Sequence, residues 1–216
     1  MKPYDLILFD LDGTLTQSHP GILRCIRDTM KKLNVPEPPA ETMRKFIGPP
    51  LVLSLKEYCG IPQEKIMEFV EEYRNIYNIE GVFEANVFDG MFPLLEELRQ
   101  AGYKLALATS KPQSSAKLVS DHFGITPYLD MISGASEDEN DTKANVIRRA
   151  IAAMNTTPGR TLMIGDTRFD AEGAQQTGTD FLGALYGYGT QKEMEVFGAV
   201  HFADTPMGLG KWILEK

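Results

Sequence analysis

The chain has 216 residues, of which 43% are hydrophobic, and its formal net charge is -8 at pH 7. This length and composition provide for a buried core in one domain with an insertion, or in two small domains, and argue against overall disorder. The acidic balance disfavours nucleic acid as a partner. No segment has the layout of a signal peptide or the length of a membrane span, so we expect a soluble cytoplasmic protein, either a monomer or a homodimer.

The first predicted element is an apolar strand, Leu6 to Phe9, which leads directly into two aspartates. Asp10 and Asp12 would share one face if the strand continued, and Gly13 allows the backbone to turn just beyond them. Two carboxylates crowded at the end of a strand repel each other, and a cation relieves that repulsion. We therefore expect a hard divalent metal at this point, with one carboxylate left for chemistry. The simpler alternative is an acidic turn after a buried strand.

Four consecutive helical patterns follow between residues 17 and 81, where no strand is predicted. They cover His19 to Leu33, Ala40 to Phe46, Leu51 to Cys59 and Gln63 to Asn78, and breaks rich in proline and glycine separate them. We interpret residues 17–81 as an all-helical cap inserted into an α/β core of residues 1–16 and 82–216. Because the insertion directly follows the two aspartates, we expect it to lie over them as a lid.

From residue 82 onward, short apolar strands alternate with helices. The predicted strands are Leu105 to Ala108, Met131 to Ser133, Leu162 to Ile164, Phe181 to Leu185 and Val200 to Ala203. The predicted helices are Met91 to Ala101, Gln113 to Phe123, Lys143 to Met154 and Asp170 to Gly178. This alternation predicts an α/β fold with a doubly wound parallel sheet and a Rossmann-like core.

Polar side chains follow the ends of these strands, where an open parallel sheet forms its binding crevice. The candidates are Thr109 and Ser110 after the second strand, Lys143 at the start of a helix, and Asp166 and Asp170 after the fourth strand. Hydroxyls and main-chain amides can receive phosphoryl oxygens, and an ammonium can offset their charge. Each residue alone is more simply a helix cap or a surface charge. Their joint occurrence at separate strand ends favours a catalytic site.

Two further features have less specific interpretations. Arg44, in the insertion, could bind a substrate carboxylate or a second phosphate, or it could be an exposed helix charge. The acidic run over residues 137–141 is most simply a solvated loop before Lys143.

The order of the motifs resembles the haloacid dehalogenase-like superfamily of phosphotransferases. The motifs are Asp10-Leu11-Asp12-Gly13-Thr14, Thr109-Ser110-Lys111, Lys143 and Gly165-Asp166-Thr167-Arg168-Phe169-Asp170, and they span nearly the whole chain. The insertion resembles the C1 cap of that family, and residues 44–51 are similar to a cap segment of its phosphoglycolate-phosphatase-like branch. Gln17 stands where many phosphatases of this branch carry an aspartate.

The resemblance implies a phosphatase that works through an aspartyl-phosphate. In this interpretation Asp10 is the nucleophile, and Asp12 protonates the leaving oxygen and later activates water. The phosphoryl group would be held by Thr109 or by Ser110 beside it, and Lys143 would neutralise charge.

The resemblance also implies a Mg²⁺ ion bound by Asp10, the main-chain carbonyl of Asp12 and Asp166. Asp170 would orient the site from its edge, and Gly13 is grouped with the substrate-binding residues. Mg²⁺ suits such a site because it takes few protein carboxylates and completes its shell with water and phosphate oxygen.

The expected substrate is a small phosphorylated metabolite, with a phosphoglycolate-like ester as the first hypothesis. Nucleoside monophosphates, sugar phosphates and pyrophosphate are alternatives, and so is a phosphomutase reaction. Asp12 disfavours dehalogenation, because a halide leaves without a proton. A different class of protein, a phospho-aspartate switch, needs neither a lid nor an acid for a leaving group, and both features argue against it.

Overall fold

A six-stranded parallel sheet forms the centre of the fold in the computed structural model, which describes residues 3–137 and 141–216. The strands are β1 (Leu6–Phe9), β2 (Lys104–Pro112), β3 (Met131–Ala135), β4 (Thr161–Gly165), β5 (Asp180–Ala184) and β6 (Phe202–Ala203). Their order across the sheet is β3-β2-β1-β4-β5-β6, and every neighbouring pair is parallel. The predicted α/β fold is therefore confirmed. Part of the predicted acidic loop, residues 138–140, lies outside the described residues.

Ten α-helices accompany the sheet in the described part of the chain. They are α1 (His19–Lys32), α2 (Ala40–Arg44), α3 (Leu51–Tyr58), α4 (Gln63–Tyr77), α5 (Met91–Gln100), α6 (Gln113–His122), α7 (Lys143–Ala153), α8 (Arg168–Thr177), α9 (Gln191–Glu195) and α10 (Pro206–Leu214). Helices α1 to α4 lie between β1 and β2, and every residue from 17 to 81 is described, with none in a named strand. The last two helices were not predicted. None of the described helices is long and apolar enough to cross a bilayer.

Strand β1 is buried on both faces, as expected for a central parallel strand. Its side chains alternate between two apolar clusters: Ile7 and Phe9 belong to the larger cluster, and Leu6 and Leu8 to a second one that includes apolar residues of α7. The larger cluster also contains buried side chains of α1 and α4. The helices between β1 and β2 are therefore packed continuously with one side of the sheet.

The order in which strands are added to the sheet reverses at β1. Strands β2 and β3 lie on one side of it, and β4, β5 and β6 lie on the other. Phe9, the last residue of β1, is in register with Leu107 of β2 and Ile164 of β4. The segments that follow these three positions therefore meet at one edge of the sheet. Such a switch point is the usual binding crevice of an open α/β sheet.

Strand β2 is longer than predicted. The sequence analysis ended it at Ala108, whereas the structure continues it to Pro112, which pairs with Ala135 of β3 after an irregularity in the register. Thr109 and Ser110 consequently lie within the strand and do not follow it. This correction changes which side chains reach the site.

Candidate active site

Three buried aspartates meet at the switch point. Asp10 follows β1, and its N–H donates to the carbonyl of Ile164 in β4 at 2.9 Å. Asp166 follows β4, and Asp170 lies in the first turn of α8. One carboxylate oxygen from each aspartate lies within 4.8 Å of the other two. We call these three residues the aspartate triad.

Lys143 is the cation of this site. Its Nζ lies 2.6 Å from Asp10 Oδ1 and 2.7 Å from Asp170 Oδ1, and it donates to the carbonyl of Ala108 at 2.8 Å. Its side chain is 5% exposed. Lys143 is the first residue of α7, and Thr142 caps that helix by accepting a hydrogen bond from the N–H of Asn145. The cap fixes the helix start and thereby places the lysine between two members of the triad.

Burial is the main cause of the raised pKa values of two members of the triad, Asp10 and Asp166. It raises the pKa of Asp10 to about 6, a rise that Asp170 increases and Lys143 opposes. It also raises the pKa of Asp166 well above its usual range, with the charges of Asp170 and Asp10 adding to the effect. Burial alone would lower the pKa of Lys143, but Asp10 and Asp170 raise it above its usual value. The site therefore has fewer positive charges than its carboxylates need.

The triad fits a hard divalent cation. Its three donors are carboxylate oxygens, which Mg²⁺ prefers, and one ammonium cannot balance all three charges. Asp166 is held in place by two hydrogen bonds, one from the hydroxyl of Thr14 at 3.1 Å and one from the N–H of Tyr188 at 2.7 Å. Asp10 and Asp166 were predicted as ligands, and the structure adds the carboxylate of Asp170 to the same group.

Asp170 combines the two roles that the sequence left open. Its Oδ2 accepts hydrogen bonds from the N–H of Thr167 at 3.0 Å and from the Thr167 hydroxyl at 2.8 Å, which is a capping box for α8. Its other oxygen is the one bound to Lys143. The simple interpretation as a helix cap is correct, and the same carboxylate is also part of the charged site.

The carboxylate of Asp12 has a different partner from that of Asp10, and its charge still contributes to the raised pKa of Asp10. Strand β1 ends at Phe9, so Asp12 lies in the following turn. Its Oδ2 is 3.0 Å from Nζ of Lys111. Its Oδ1 is buried, with no hydrogen-bond partner among the described residues. The triad counts side-chain oxygens, so the predicted main-chain ligand of Asp12 stays a prediction.

The predicted phosphoryl-binding hydroxyls are close to this second pair. Thr109 is buried, and its hydroxyl accepts a hydrogen bond from the N–H of Lys111 at 3.2 Å. Ser110 is half-buried and lines a small cavity together with Asp12. The carbonyl that accepts from Lys143 belongs to Ala108, directly before Thr109. Strand β2 thus contacts both the Lys143 side and the Asp12 side of the site.

Three cavities border the site, and one of them, of about 210 Å³, is lined by residues of β2, α7 and α8. The other two differ in size. The smaller, of about 80 Å³, is lined by Asp12, Ser110 and Lys111 from one side and by residues of α1 and α4 from the other. The larger, of about 760 Å³, is lined by residues of α2 and α3 and by the segment that follows Asp166. Arg44 is exposed and lines the larger cavity, so the structure does not group it with the residues around Asp12.

Two residues of the site were missed or given no role by sequence reasoning. Lys111 stood in a quoted motif, and a strand extended to Pro112 would have placed it on the face of Thr109, two residues away. Tyr77 accepts a hydrogen bond from Lys111 at 2.9 Å. In the sequence Tyr77 is one more apolar position of a helical pattern, and no local signal separates it from ordinary core residues.

The charged residues lie at the switch point of the parallel sheet, where open α/β sheets bind their ligands. Residues 7–184 match the family model for haloacid dehalogenase-like hydrolases, and the chain belongs to this family. The predicted family is thereby confirmed, and two relatives named phosphoglycolate phosphatase, 29% and 27% identical, support the predicted branch.

Several named relatives resemble the chain over most of its length. A 5'-nucleotidase from Pseudomonas aeruginosa is 35% identical over 200 residues, which cover 92% of this chain and 90% of that protein. A phosphoglycolate phosphatase from Aquifex aeolicus is 29% identical over 185 residues, which cover 85% of each protein. Tyrosine-protein kinase PtkA from Mycobacterium tuberculosis is 37% identical over 185 residues; these are 85% of this chain and 63% of the kinase. The chain thus spans less than two thirds of that kinase.

A solved structure shows the same architecture. The crystal structure of a predicted phosphatase from Clostridium acetobutylicum superposes with a TM-score of 0.94, at 36% identity and with 99% of each chain covered. The family match, the relatives named phosphatases and this structural likeness together show that the protein is a phosphatase.

Proposed function

We propose that this phosphatase is Mg²⁺-dependent and hydrolyses small phosphorylated metabolites through an aspartyl-phosphate on Asp10. The observation that carries the proposal is the position of Asp10: it is bound to Lys143, belongs to the aspartate triad, and lies at the switch point of the sheet. A carboxylate that is oriented by an ammonium and placed beside a cation site is suited to attack a phosphoryl group.

The proposed reaction has two steps. An oxygen of Asp10 attacks phosphorus, the bond to the ester oxygen breaks, and Asp12 gives that oxygen its proton. Water then attacks the phosphorus of the aspartyl-phosphate, Asp12 takes up a proton from this water, and inorganic phosphate leaves with Asp10 regenerated. Thr109, or Ser110 beside it, holds the phosphoryl oxygens, and Lys143 stabilises the negative charge that develops on them.

Asp10, Asp166 and the main-chain carbonyl of Asp12 would hold the Mg²⁺ ion, with Asp170 orienting the site. When bound, the ion supplies positive charge to the phosphoryl oxygens. The fit rests on the all-oxygen donor set and on the raised pKa values of Asp10 and Asp166, which reflect the burial of these carboxylates and the negative charges of their neighbours.

Helices α1 to α4, within residues 17–81, are proposed to act as a cap. Residues of α1 and α4 form one wall of the cavity beside Asp12, and residues of the core form the other. A substrate bound there is enclosed by both. Shielding the site from water protects the aspartyl-phosphate against unwanted reactions and strengthens the charged interactions around it.

The cavity beside Asp12 favours a compact leaving group. Its volume of about 80 Å³ is well below the roughly 300–1,000 Å³ of pockets for drug-sized ligands. A phosphoglycolate-like ester is therefore the first substrate to test, in agreement with the relative named phosphoglycolate phosphatase.

A nucleoside 5'-monophosphate is the second candidate, because the larger cavity offers space and suitable side chains. That cavity has aromatic rings from Tyr58 and Tyr188 and cationic groups from Arg44 and Arg168. Rings can stack on a base, and guanidinium groups can bind phosphate or ribose oxygens. The relative named 5'-nucleotidase supports including these substrates.

A phosphate-release assay over a panel of esters tests the proposal. The panel contains 2-phosphoglycolate, nucleoside 5'-monophosphates, sugar phosphates and pyrophosphate, each with Mg²⁺ and with EDTA. We expect turnover in Mg²⁺ that EDTA removes. A stable aspartyl-phosphate without phosphate release would instead indicate a switch, and isomer formation before free phosphate would indicate a mutase.

A further inference from the structure

We propose that Lys111 and Tyr77 position the carboxylate of Asp12 for proton transfer. Because Tyr77 belongs to α4, this helix then contributes to the proton transfers of the reaction. This inference rests on the proposed function, in which Asp12 is the general acid. We call this contact chain the Lys111–Tyr77 bridge.

The bridge joins three separate parts of the chain. Nζ of Lys111, on β2, lies 3.0 Å from Oδ2 of Asp12 and donates to the hydroxyl of Tyr77, the last residue of α4, at 2.9 Å. The same ammonium is 4.4 Å from the centroid of the Tyr77 ring, within the range of a cation–π contact. The side chains of Lys111 and Asp12 are 6% and 11% exposed, so water does little to screen their attraction.

Each buried lysine in the described part of the chain serves a different carboxylate. These lysines are Lys111 and Lys143. Lys143 is bound to two members of the aspartate triad, whereas Lys111 is bound to Asp12. The proposed acid and the proposed nucleophile thus each have an ammonium partner of their own.

The two oxygens of Asp12 differ in a way that suits proton transfer. Oδ2 is held by Lys111, whereas Oδ1 has no hydrogen-bond partner among the described residues. Asp12 and both members of the bridge line the cavity of about 80 Å³, where the leaving group is proposed to bind. With one oxygen held, the carboxylate has little rotational freedom, and no described residue competes with the substrate for a hydrogen bond to the other oxygen.

Tyr77 is itself fixed by its surroundings. Its ring stacks on that of Tyr73, with centroids 5.3 Å apart and an angle of 15° between the planes. Burial, and next the charge of Asp12, raise the pKa of Tyr77 well above its usual value, so its hydroxyl stays neutral and accepts from the ammonium. Because Tyr77 comes from α4, the position of Lys111 depends on the docking of that helix.

The experiment compares two esters whose leaving groups differ in their need for a proton. The leaving group of p-nitrophenyl phosphate is a stable phenolate that departs without a proton, whereas 2-phosphoglycolate releases a strongly basic alkoxide that needs one. We compare kcat/KM, which reports on the step that forms the aspartyl-phosphate. The variants are Lys111→Met and Tyr77→Phe, with Lys117→Met as the matched control, since Lys117 is an exposed lysine paired with Asp121.

We expect Lys111→Met to lower kcat/KM for phosphoglycolate by at least about tenfold more than for p-nitrophenyl phosphate, within the range of general acid catalysis. Tyr77→Phe should show the same selectivity with a smaller loss, because it keeps the ring and removes the hydroxyl. Lys117→Met should leave both esters unaffected. Thermal unfolding checks each variant, and if Lys111→Met does not fold, Tyr77→Phe decides the question.

The possible failures are distinguishable. Equal losses for the two esters, or no loss in either variant, would overturn the role of the bridge and leave the phosphatase proposal intact. If the panel shows another alkyl ester to be the better substrate, that ester replaces 2-phosphoglycolate in this comparison. A wild-type protein that releases phosphate from no ester of the panel in Mg²⁺ would overturn the proposed function and, with it, the bridge.

Discussion

Gly13 and Asp166, 153 positions apart in the chain, lie so close together that residue 13 has no room for a side chain. A Cβ at this position would overlap the carboxylate of Asp166 and would lie 2.7 Å from the ring of Tyr188. The φ angle of Gly13 is +93°, which also favours glycine. Gly13, predicted among the substrate-binding residues, is thus packed against a proposed metal ligand.

Gly13→Ala should therefore reduce both stability and metal binding. We expect a loss of about 1–2 kcal/mol from backbone strain and about 1–3 kcal/mol more from overpacking against Asp166. Because the substitution displaces that carboxylate, the increase in Tm on adding Mg²⁺ should largely disappear. Thermal unfolding with and without Mg²⁺ measures both effects.

Gly198→Ala is the matched control, since Gly198 has a φ of +84° and nothing within 4 Å of its Cβ position. It should show the strain cost alone and keep the response to Mg²⁺. An equal loss of Tm in the two variants, with the Mg²⁺ response intact in both, would contradict the importance of the Gly13 contact.

Lys143→Met should destabilise the protein in a pH-dependent way. Removing one partner of a buried ion pair typically costs about 3–5 kcal/mol, and Lys143 is bound to both Asp10 and Asp170. The carboxylates can take up protons at low pH, so the loss should be smaller at pH 5 than at pH 8. Unfolding in EDTA at both values measures it, at roughly 2–4 °C of Tm per kcal/mol for a chain of this size.

The exposed Lys117 again provides the control: its replacement by methionine removes a surface ion pair worth about 0–1 kcal/mol. If Lys143→Met lowered Tm equally at both pH values, the charge of the triad would not be the cause.

Mg²⁺ should stabilise the protein more at pH 8 than at pH 5. The folded-state pKa of Asp10 is about 6, above the ordinary value of 3.8 for an aspartate, so the metal-free folded state binds the proton more tightly than the unfolded state. Stability of the metal-free protein therefore falls as pH rises from about 4 through about 6, and the raised pKa of Asp166 extends this decline. Mg²⁺ binds the ionised carboxylates and competes with these protons.

Titration of Tm with MgCl₂ at the two pH values tests this relationship. At a Mg²⁺ concentration 100 times the dissociation constant, the gain is about 2.7 kcal/mol. A gain that is the same at pH 5 and pH 8 would show that the ion binds elsewhere, and Asp166→Asn should abolish the gain.

Asp10→Asn should remove turnover while the protein still folds. The amide cannot form the aspartyl-phosphate, so we expect at least about a thousandfold loss of kcat, comparable to the loss of a nucleophile in other covalent mechanisms. It also takes one negative charge from the triad, so Tm in EDTA at pH 8 should not fall by more than a few degrees. Phosphate release and thermal unfolding are the measurements.

Asp204→Asn, at an exposed aspartate outside the site, is the control for this substitution and should keep full activity. Activity of Asp10→Asn equal to that of the wild type would end the assignment of Asp10 as the nucleophile.

Much of the fold was predictable because its signals are local. Apolar runs and helical periodicity gave strands and helices whose ends lie close to those observed, for example β1 over Leu6–Phe9 and α4 over Gln63–Tyr77. The parallel sheet follows from their alternation. The short helices α9 and α10 lack so clear a pattern and were missed.

The proximity of Asp10, Lys143 and Asp166 was also predictable, because residues that follow parallel strands meet at one edge of the sheet. What those side chains bind was not. The sequence predicts that Asp10 and Asp12 share one face if the strand continues. In the structure the strand ends before them, and each carboxylate forms an ion pair with a different lysine.

The pairing of each aspartate with its lysine depends on where β1 ends, how far β2 extends and how α4 packs near the end of β2. Strand ends are set by packing and register with neighbouring strands, and the contact of Lys111 with Tyr77 joins residues from two elements that share no local pattern. The amino-acid sequence therefore determined the elements and the crevice in which the charged residues gather. Tertiary packing decided which aspartate each lysine binds, because contacts between segments that are distant in the sequence produce no local pattern from which they could be predicted.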